Sequence, residues 1–172
     1  MSVEGFIGIF GGTFDPIHLG HLNLAINLLE KCRLAKILFI PAFISPLRMG
    51  ENPVAPQKRL EMVRLAVEGI PHFEVSDIEI RRGGPSYTVD TLRLLKKEFP
   101  DIALLLGEDS LETFPRWKES DTIVREVPIR VGSRRVTSKI LHEGLIDIPL
   151  FDISATDLRD RLKKRLYCLM KL

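Results

Sequence analysis

Two histidines three residues apart, His18 and His21, lie within the run Gly11-Gly12-Thr13-Phe14-Asp15-Pro16-Ile17-His18-Leu19-Gly20-His21. Residues at i and i+3 of a helix share a face, so a helix opening here turns both imidazoles the same way. The first turn of a helix has N–H groups without intrahelical partners and the positive end of the dipole, which together suit a phosphate. Gly11 and Gly12 let backbone approach a ligand closely, and Gly20 leaves space between the histidines. This is the chemistry of a phosphate-handling turn. A structural metal site is not indicated, because there is no H-E-x-x-H and neither His72 nor His142 has ligand-like spacing. Nor is it the dinucleotide fingerprint, which needs G-x-G-x-x-G and an acidic residue after the second strand. Here the glycines are Gly8, Gly11 and Gly12, and the second strand runs into Pro41-Ala42-Phe43. The plain alternative is a pair of surface histidines on an amphipathic helix.

The elements that must hold this turn follow from hydrophobic periodicity. Phe6 to Phe10 reads as a short buried strand, and Leu22, Ala25, Ile26 and Leu29 recur at helical spacing between Leu19 and Cys32. Lys36 to Ile40 is a second strand, stopped by Pro41. Pro56 to Gly69 is a helix with Pro near its start and Gly at its end. Phe73 to Ile80 alternates as a third strand, Thr88 to Phe99 is a helix, and Ile102 to Leu106 a fourth strand. Val127 to Val131 and Leu145 to Phe151 are weaker strands, and Ala155 to Leu166 closes the chain as a helix. Strands alternating with helices, and strands apolar along their whole length, predict an α/β fold: a doubly wound, mostly parallel sheet with helices on both faces. Ligands of such sheets bind beyond the carboxyl ends of the strands. The Pro-rich segment Pro41 to Pro56 leaves the second strand on that side and is the longest irregular stretch.

At 172 residues the chain is expected to form one domain, 1–172, with a core that needs no staples. With 45% hydrophobic and 28% charged residues it is neither disordered nor fibrous. No apolar run approaches the ~18 residues of a membrane span, and the glycine-broken N-terminus lacks the basic region of a signal peptide. Cys32 and Cys168 share no motif and read as reduced thiols of a cytoplasmic protein. Residues 1–124 carry 14 − 17 = −3 and residues 125–172 carry 11 − 6 = +5. A mildly basic C-terminal part suits an anionic small molecule; it is not the basic, aromatic-studded stripe of a nucleic-acid binder.

Three further segments complete a pattern. Ser86-Tyr87-Thr88-Val89-Asp90-Thr91-Leu92 follows Arg82-Gly83-Gly84-Pro85. Gly107-Glu108-Asp109-Ser110-Leu111 is followed by Phe114 and Trp117. Asp152-Ile153-Ser154-Ala155-Thr156-Asp157-Leu158-Arg159 opens the last helix. With the G-G-T-F-D-P-I-H-x-G-H run, these resemble, in order and over nearly the whole chain, the motifs of the bacterial nicotinate-nucleotide adenylyltransferases. That family lies within the nucleotidyltransferase superfamily, whose fold is a Rossmann-like form of the doubly wound sheet.

The resemblance implies transfer of AMP from ATP to nicotinate mononucleotide, with Mg²⁺ and without a protein nucleophile. It implies that His18, His21 and Arg159 serve the transferring phosphates. Gly11, Thr13, Phe14 and Gly20 would pack backbone against the nucleotides, and Asp109 would take ribose hydroxyls, unless it is only a helix N-cap. Ser154 and Thr156 would meet the distal phosphates, although Ser154 with Asp157 also approximates a capping box. Trp117 would stack on the nicotinate ring, with Tyr87 and Thr88 at its carboxylate; the alternative for Trp117 is a half-buried core aromatic. Where relatives read P-P-H-K, this chain reads Ser45-Pro46-Leu47-Arg48, so Arg48 is expected to reach the ATP phosphates unless it is merely solvated. Ala155 replaces a family serine, and Val131-Gly132-Ser133-Arg134-Arg135 is the counterpart offered for an R-P-G element. The short C-terminus implies a smaller core or an edge covered in a homo-oligomer. Two rival readings are the same chemistry on nicotinamide mononucleotide and a nucleotide-binding paralogue without transferase activity.

Overall fold

The computed structural model describes residues 2–133, 145–147 and 154–163. Six strands, β1 (Ile7–Gly12), β2 (Lys36–Pro41), β3 (Phe73–Val75), β4 (Ile102–Gly107), β5 (Ile129–Ser133) and β6 (Leu145–Asp147), form one sheet. Its order is β3-β2-β1-β4-β5-β6, and every pairing is parallel. The winding reverses between β1 and β4, which opens a crevice beyond their carboxyl ends. The predicted doubly wound α/β sheet is therefore the observed one.

Among the described residues seven α-helices accompany it: α1 (Leu19–Lys31), α2 (Pro56–Val67), α3 (Ile78–Arg82), α4 (Thr88–Leu95), α5 (Glu108–Thr113), α6 (Ser120–Glu126) and α7 (Ala155–Lys163). The strands are apolar along their length because both faces are covered. Ile37 and Phe39 of β2, with Ala103 and Leu105 of β4, pack with Ala25 and Leu28 of α1 and Val63 of α2. Leu38, Ile40, Leu104 and Leu106 pack on the other face with Val89, Leu92 and Leu95 of α4 and Ile123 of α6. Each such Val, Leu, Ile or Phe side chain contributes about 1.5–3 kcal/mol by leaving water. Gly8 belongs to this packing: a Cβ there would come within 2.7 Å of Leu105 Cδ1 and 2.9 Å of Leu34 Cδ1.

The structure differs from the periodicity reading in particular places. Only Phe73–Val75 of the expected third strand is extended; Ile78–Arg82 is helix α3. Ile78 and Ile80 alternate with charged residues as a strand would, but Ser76 Oγ accepts the Ile78 N–H (3.3 Å) and Arg81 pairs with Asp77 one turn back (2.7 Å). These local bonds favour a turn over the sheet ladder. Helix α4 ends at Leu95, and the chain reaches Phe99 through further turns, Phe99 N–H donating to the Leu95 carbonyl (2.7 Å). Helices α5 and α6 have six and seven residues with one fully buried apolar residue each, Leu111 and Ile123, too few to register as a period. Residues 148–151 of the sixth expected strand and 164–166 of the closing helix lie outside the described residues. Among the described residues no helix is long and apolar enough to cross a membrane.

Candidate active site

Two adjoining cavities open at the crevice. One, of about 350 Å³, is lined by His18, Gly20, His21, Arg48, Asp109 and Ser154. The other, of about 320 Å³, is lined by Tyr87, Thr88 and Trp117 together with Glu79, Arg116 and Lys118. Gly11, Gly12, Thr13 and Ser110 line both. The carboxyl end of β1, with Thr13 after it and Ser110 of α5, thus supplies a common wall.

In the histidine cavity the two imidazoles stack, with ring centroids 3.8 Å apart and planes 34° off parallel. The His18 backbone N–H donates to His21 Nδ1 (3.2 Å), and the His21 N–H donates to the His18 carbonyl (2.9 Å). An accepting Nδ1 leaves the ring proton of His21 on Nε2, a donor in the neutral imidazole. Phe14 meets His21 edge-on at 5.1 Å. A Cβ at Gly11 would meet nothing within 4 Å, so a ligand has room to approach the backbone there. Gly12 has a different reason: a Cβ would come within 2.9 Å of the Phe14 ring. Phe14 itself has left-handed backbone (φ 48°) and a ring only 2% exposed, so its side chain belongs to the core while its backbone follows the cavity wall.

Asp109 is not a helix N-cap. Gly107 takes that place in an extended conformation, and Asp109 stands in the first turn of α5, a favourable place for an anion. Arg48, on a short turn spanning Pro46–Arg48, is not solvated alone: its Nε donates to the Glu51 carboxylate (2.7 Å). That hydrogen bond holds the Glu51 carboxyl below its ordinary range and raises the Arg48 guanidinium. Ser154 and Ala155 line the cavity at the start of α7, and the Ser154 carbonyl accepts the Leu158 N–H (3.1 Å). Thr156 and Arg159 do not line it. Arg159 instead donates to the Asp15 carbonyl and to Thr156 Oγ1 (3.2 Å), so it braces the cavity rim. The side chain of Asp157, the motif residues Asp152 and Ile153, and Arg134 and Arg135 lie outside the described residues. Of that last segment, Gly132 lines the cavity and Ser133 donates to Glu108 (2.9 Å).

In the second cavity Trp117 is half-buried. Its ring centre lies 5.3 Å from that of Phe114 and its Nε1–H donates to Thr113 Oγ1 (3.4 Å). It packs on the core as a half-buried aromatic and also lines the cavity. Tyr87 and Thr88 are the N-cap and first residue of α4, so the positive end of that helix opens onto the cavity. Lys118 Nζ sits 4.7 Å over the Tyr87 ring and 3.0 Å from Asp90.

Three buried charged residues here were not singled out from the sequence. Arg59 is 0% exposed, and its guanidinium donates to the carbonyls of Val54 (2.7 Å), Thr13 (2.6 Å) and Phe43 (3.0 Å). Burial lowers its pKa, against the opposing pull of the Asp15 carboxylate. Asp15, 5% exposed, accepts the Val54 N–H (3.3 Å). Glu79, 6% exposed, accepts the Thr91 hydroxyl (2.6 Å), and burial pushes its carboxyl up. A signal for Arg59 existed: it shares a helix face with Val63 and Val67, at i, i+4 and i+8.

Fold and site together define an α/β nucleotide-binding protein with paired cavities at the switch point of its sheet. Comparison with known proteins narrows this. The cytidylyltransferase-like family matches residues 9–161. A probable nicotinate-nucleotide adenylyltransferase of Thermomicrobium roseum is 42% identical over 171 residues, covering 91% of this chain and 79% of the relative. Another, of Roseiflexus sp. (strain RS-1), is 46% identical, covering 91% and 85%. The chain belongs to the cytidylyltransferase-like family and, within it, to the nicotinate-nucleotide adenylyltransferases. Among solved structures, Plasmodium falciparum nicotinic acid mononucleotide adenylyltransferase complexed with NaAD shares the fold, with a TM-score of 0.75 at 22% identity over 94% of this chain and 85% of that one. A putative nicotinate-nucleotide adenylyltransferase of Vibrio parahaemolyticus does so at 0.71 and 19%, over 95% and 83%.

Proposed function

We propose that this chain transfers AMP from ATP to nicotinate mononucleotide, forming deamido-NAD and pyrophosphate in the cytoplasm. The observation that carries the reading is the pair of cavities with one common wall, one lined by stacked histidines and the other by Trp117 and the N-terminus of α4. A phosphate oxygen of the mononucleotide attacks the α-phosphorus of ATP, and the bond to the leaving pyrophosphate breaks. The protein then has to align the reactants and stabilise developing charge, which needs no protein nucleophile.

His21 Nε2–H is the donor for the α-phosphoryl oxygens, and His18 lies beside it. Asp109 takes the adenosine ribose. Ser154 faces the distal phosphates, with Arg48 reaching them once it lets go of Glu51. In the second cavity Trp117 stacks on the pyridine ring, and Tyr87 and Thr88 present the positive helix end to its carboxylate. That polarity favours nicotinate over nicotinamide mononucleotide, whose amide is neutral. The transfer would use Mg²⁺ brought in by ATP. Among the described residues no three His, Cys, Asp or Glu converge, whereas the acids Glu108 and Asp109 line the histidine cavity. That fits a metal that would be held by Glu108, water and substrate phosphates, and that would supply positive charge to the leaving group.

Pyrophosphate release from ATP and Mg²⁺ with each mononucleotide in turn tests the reading. Turnover with nicotinate mononucleotide well above that with nicotinamide mononucleotide is expected. The reverse preference makes the protein a nicotinamide enzyme, and ATP binding without turnover on either makes it a non-catalytic paralogue.

A further inference from the structure

We infer that Arg59 is a positioning residue for the transfer, a buried guanidinium that sets the two nucleotide cavities relative to each other. The inference rests on the reaction proposed above. Arg59 touches neither cavity, yet its three hydrogen bonds reach the common wall and both ends of one loop. Nη1 holds the carbonyl of Thr13, in the wall common to both cavities. Nη2 and Nε hold Phe43 and Val54, near the two ends of the Pro41–Pro56 loop. Between those anchors the loop sends Arg48 to the histidine cavity and Ser45 to Leu47 to the tryptophan cavity. The chain of bonds continues: the Phe43 N–H donates to Ser86 Oγ (2.9 Å), next to Tyr87 and Thr88, and Ile44 forms a bridge with Pro85. A single side chain therefore links the common wall, the loop and the start of α4.

The choice of arginine follows from this geometry. Its planar fork directs donors to three separate carbonyls, which a lysine ammonium cannot span. Burying a charge for structural reasons alone is costly, and here the compensation comes from carbonyls of the site and from Asp15. In-line transfer between two bound nucleotides is sensitive to their relative placement, where a misplacement of ~1 Å costs about 100-fold. A residue that sets that placement acts on kcat more than on either KM.

The test compares wild type, Arg59→Lys and Ser86→Ala by thermal melting and by full kinetics in ATP and nicotinate mononucleotide. Ser86→Ala leaves Arg59 in place and removes the next link. Arg59→Lys is expected to lower kcat per folded molecule by at least about 10-fold, with each KM changed by less than about 3-fold. Ser86→Ala should show the same signature at about 3-fold. Three results overturn the inference: kcat for Arg59→Lys within two-fold of wild type, activity falling only with the folded fraction, or failure of Arg59→Lys to fold, since each leaves Arg59 a fold brace at most. A wild type that releases no pyrophosphate sinks the transfer reading itself, a result distinct from all three.

Discussion

The backbone N–H of His18 donates to Nδ1 of His21 across 3.2 Å, so the turn that starts α1 also sets the tautomer of the second histidine. Nε2 then carries the ring proton, on a residue that lines the cavity. Removing it should cost what loss of one positioned oxyanion donor costs. His21→Ala is expected to lower kcat by at least about 100-fold. Its Tm should stay within a few degrees, because neither histidine is needed for the core. Steady-state kinetics beside a thermal melt decide the point, and near-normal turnover would remove His21 from the reaction.

Trp117 divides its surface between Phe114 and the cavity. If its free face stacks on the acceptor base, Trp117→Ala should raise the KM for the mononucleotide about 5- to 150-fold, matching roughly 1–3 kcal/mol of stacking. ATP affinity, measured by titration calorimetry, should hardly change. A joint fall in both affinities, or unfolding, would mean that the Phe114 contact is all that Trp117 provides.

Arg48 is paired with Glu51 while lining the histidine cavity. Arg48→Ala should lower kcat/KM for ATP by about 1.5–3 kcal/mol, the range for a hydrogen bond to a charged group. Arg48→Lys should recover part of it, since an ammonium lacks the bidentate fork. Glu51→Gln removes the competing carboxylate and should leave kcat/KM for ATP equal to or above wild type. Wild-type values for both Arg48 variants would show that the loop does not reach the phosphates.

Glu79 supplies a pH test of the acceptor cavity floor. Burial raises its carboxyl above the unfolded value of 4.5, with Thr91, Ser86 and Arg82 pulling the other way. A raised carboxyl binds its proton more tightly when folded. Its contribution is therefore complete below the unfolded value and is lost as pH climbs through the folded one. Glu79→Gln keeps the neutral shape and has no proton to lose. The Tm of the variant minus that of wild type should grow as pH rises above 4.5, measured by melts from pH 4 to 8. A difference that is flat with pH, or shrinks, would contradict the burial argument.

Much of the fold was written in local pattern. β1, β2 and β4 are legible because a strand covered on both faces has to be apolar throughout, and the glycine turn is legible because phosphate chemistry needs those residue types side by side. Gly11, His18, His21, Asp109, Ser154, Tyr87, Thr88 and Trp117 all line the paired cavities, in segments that follow or face the strand ends. What the sequence could not show is which distant groups close on each other. Arg59 meets Val54, Thr13 and Phe43 at separations of 5, 46 and 16 residues, and its charge looks solvated until those carbonyls surround it. Glu79 read as part of a strand, but its carboxyl turns inward to Thr91, twelve residues on. Thr156 and Arg159 sit in the right motif yet pair with each other, Arg159 also donating to the Asp15 carbonyl, instead of lining the cavity. Residue type and spacing determined the chemistry available to this protein, because donors, glycines and helix starts act within one turn of chain. Only tertiary structure decided which buried polar groups hold the site in register, because a charge taken out of water must find its partners wherever the fold brings them.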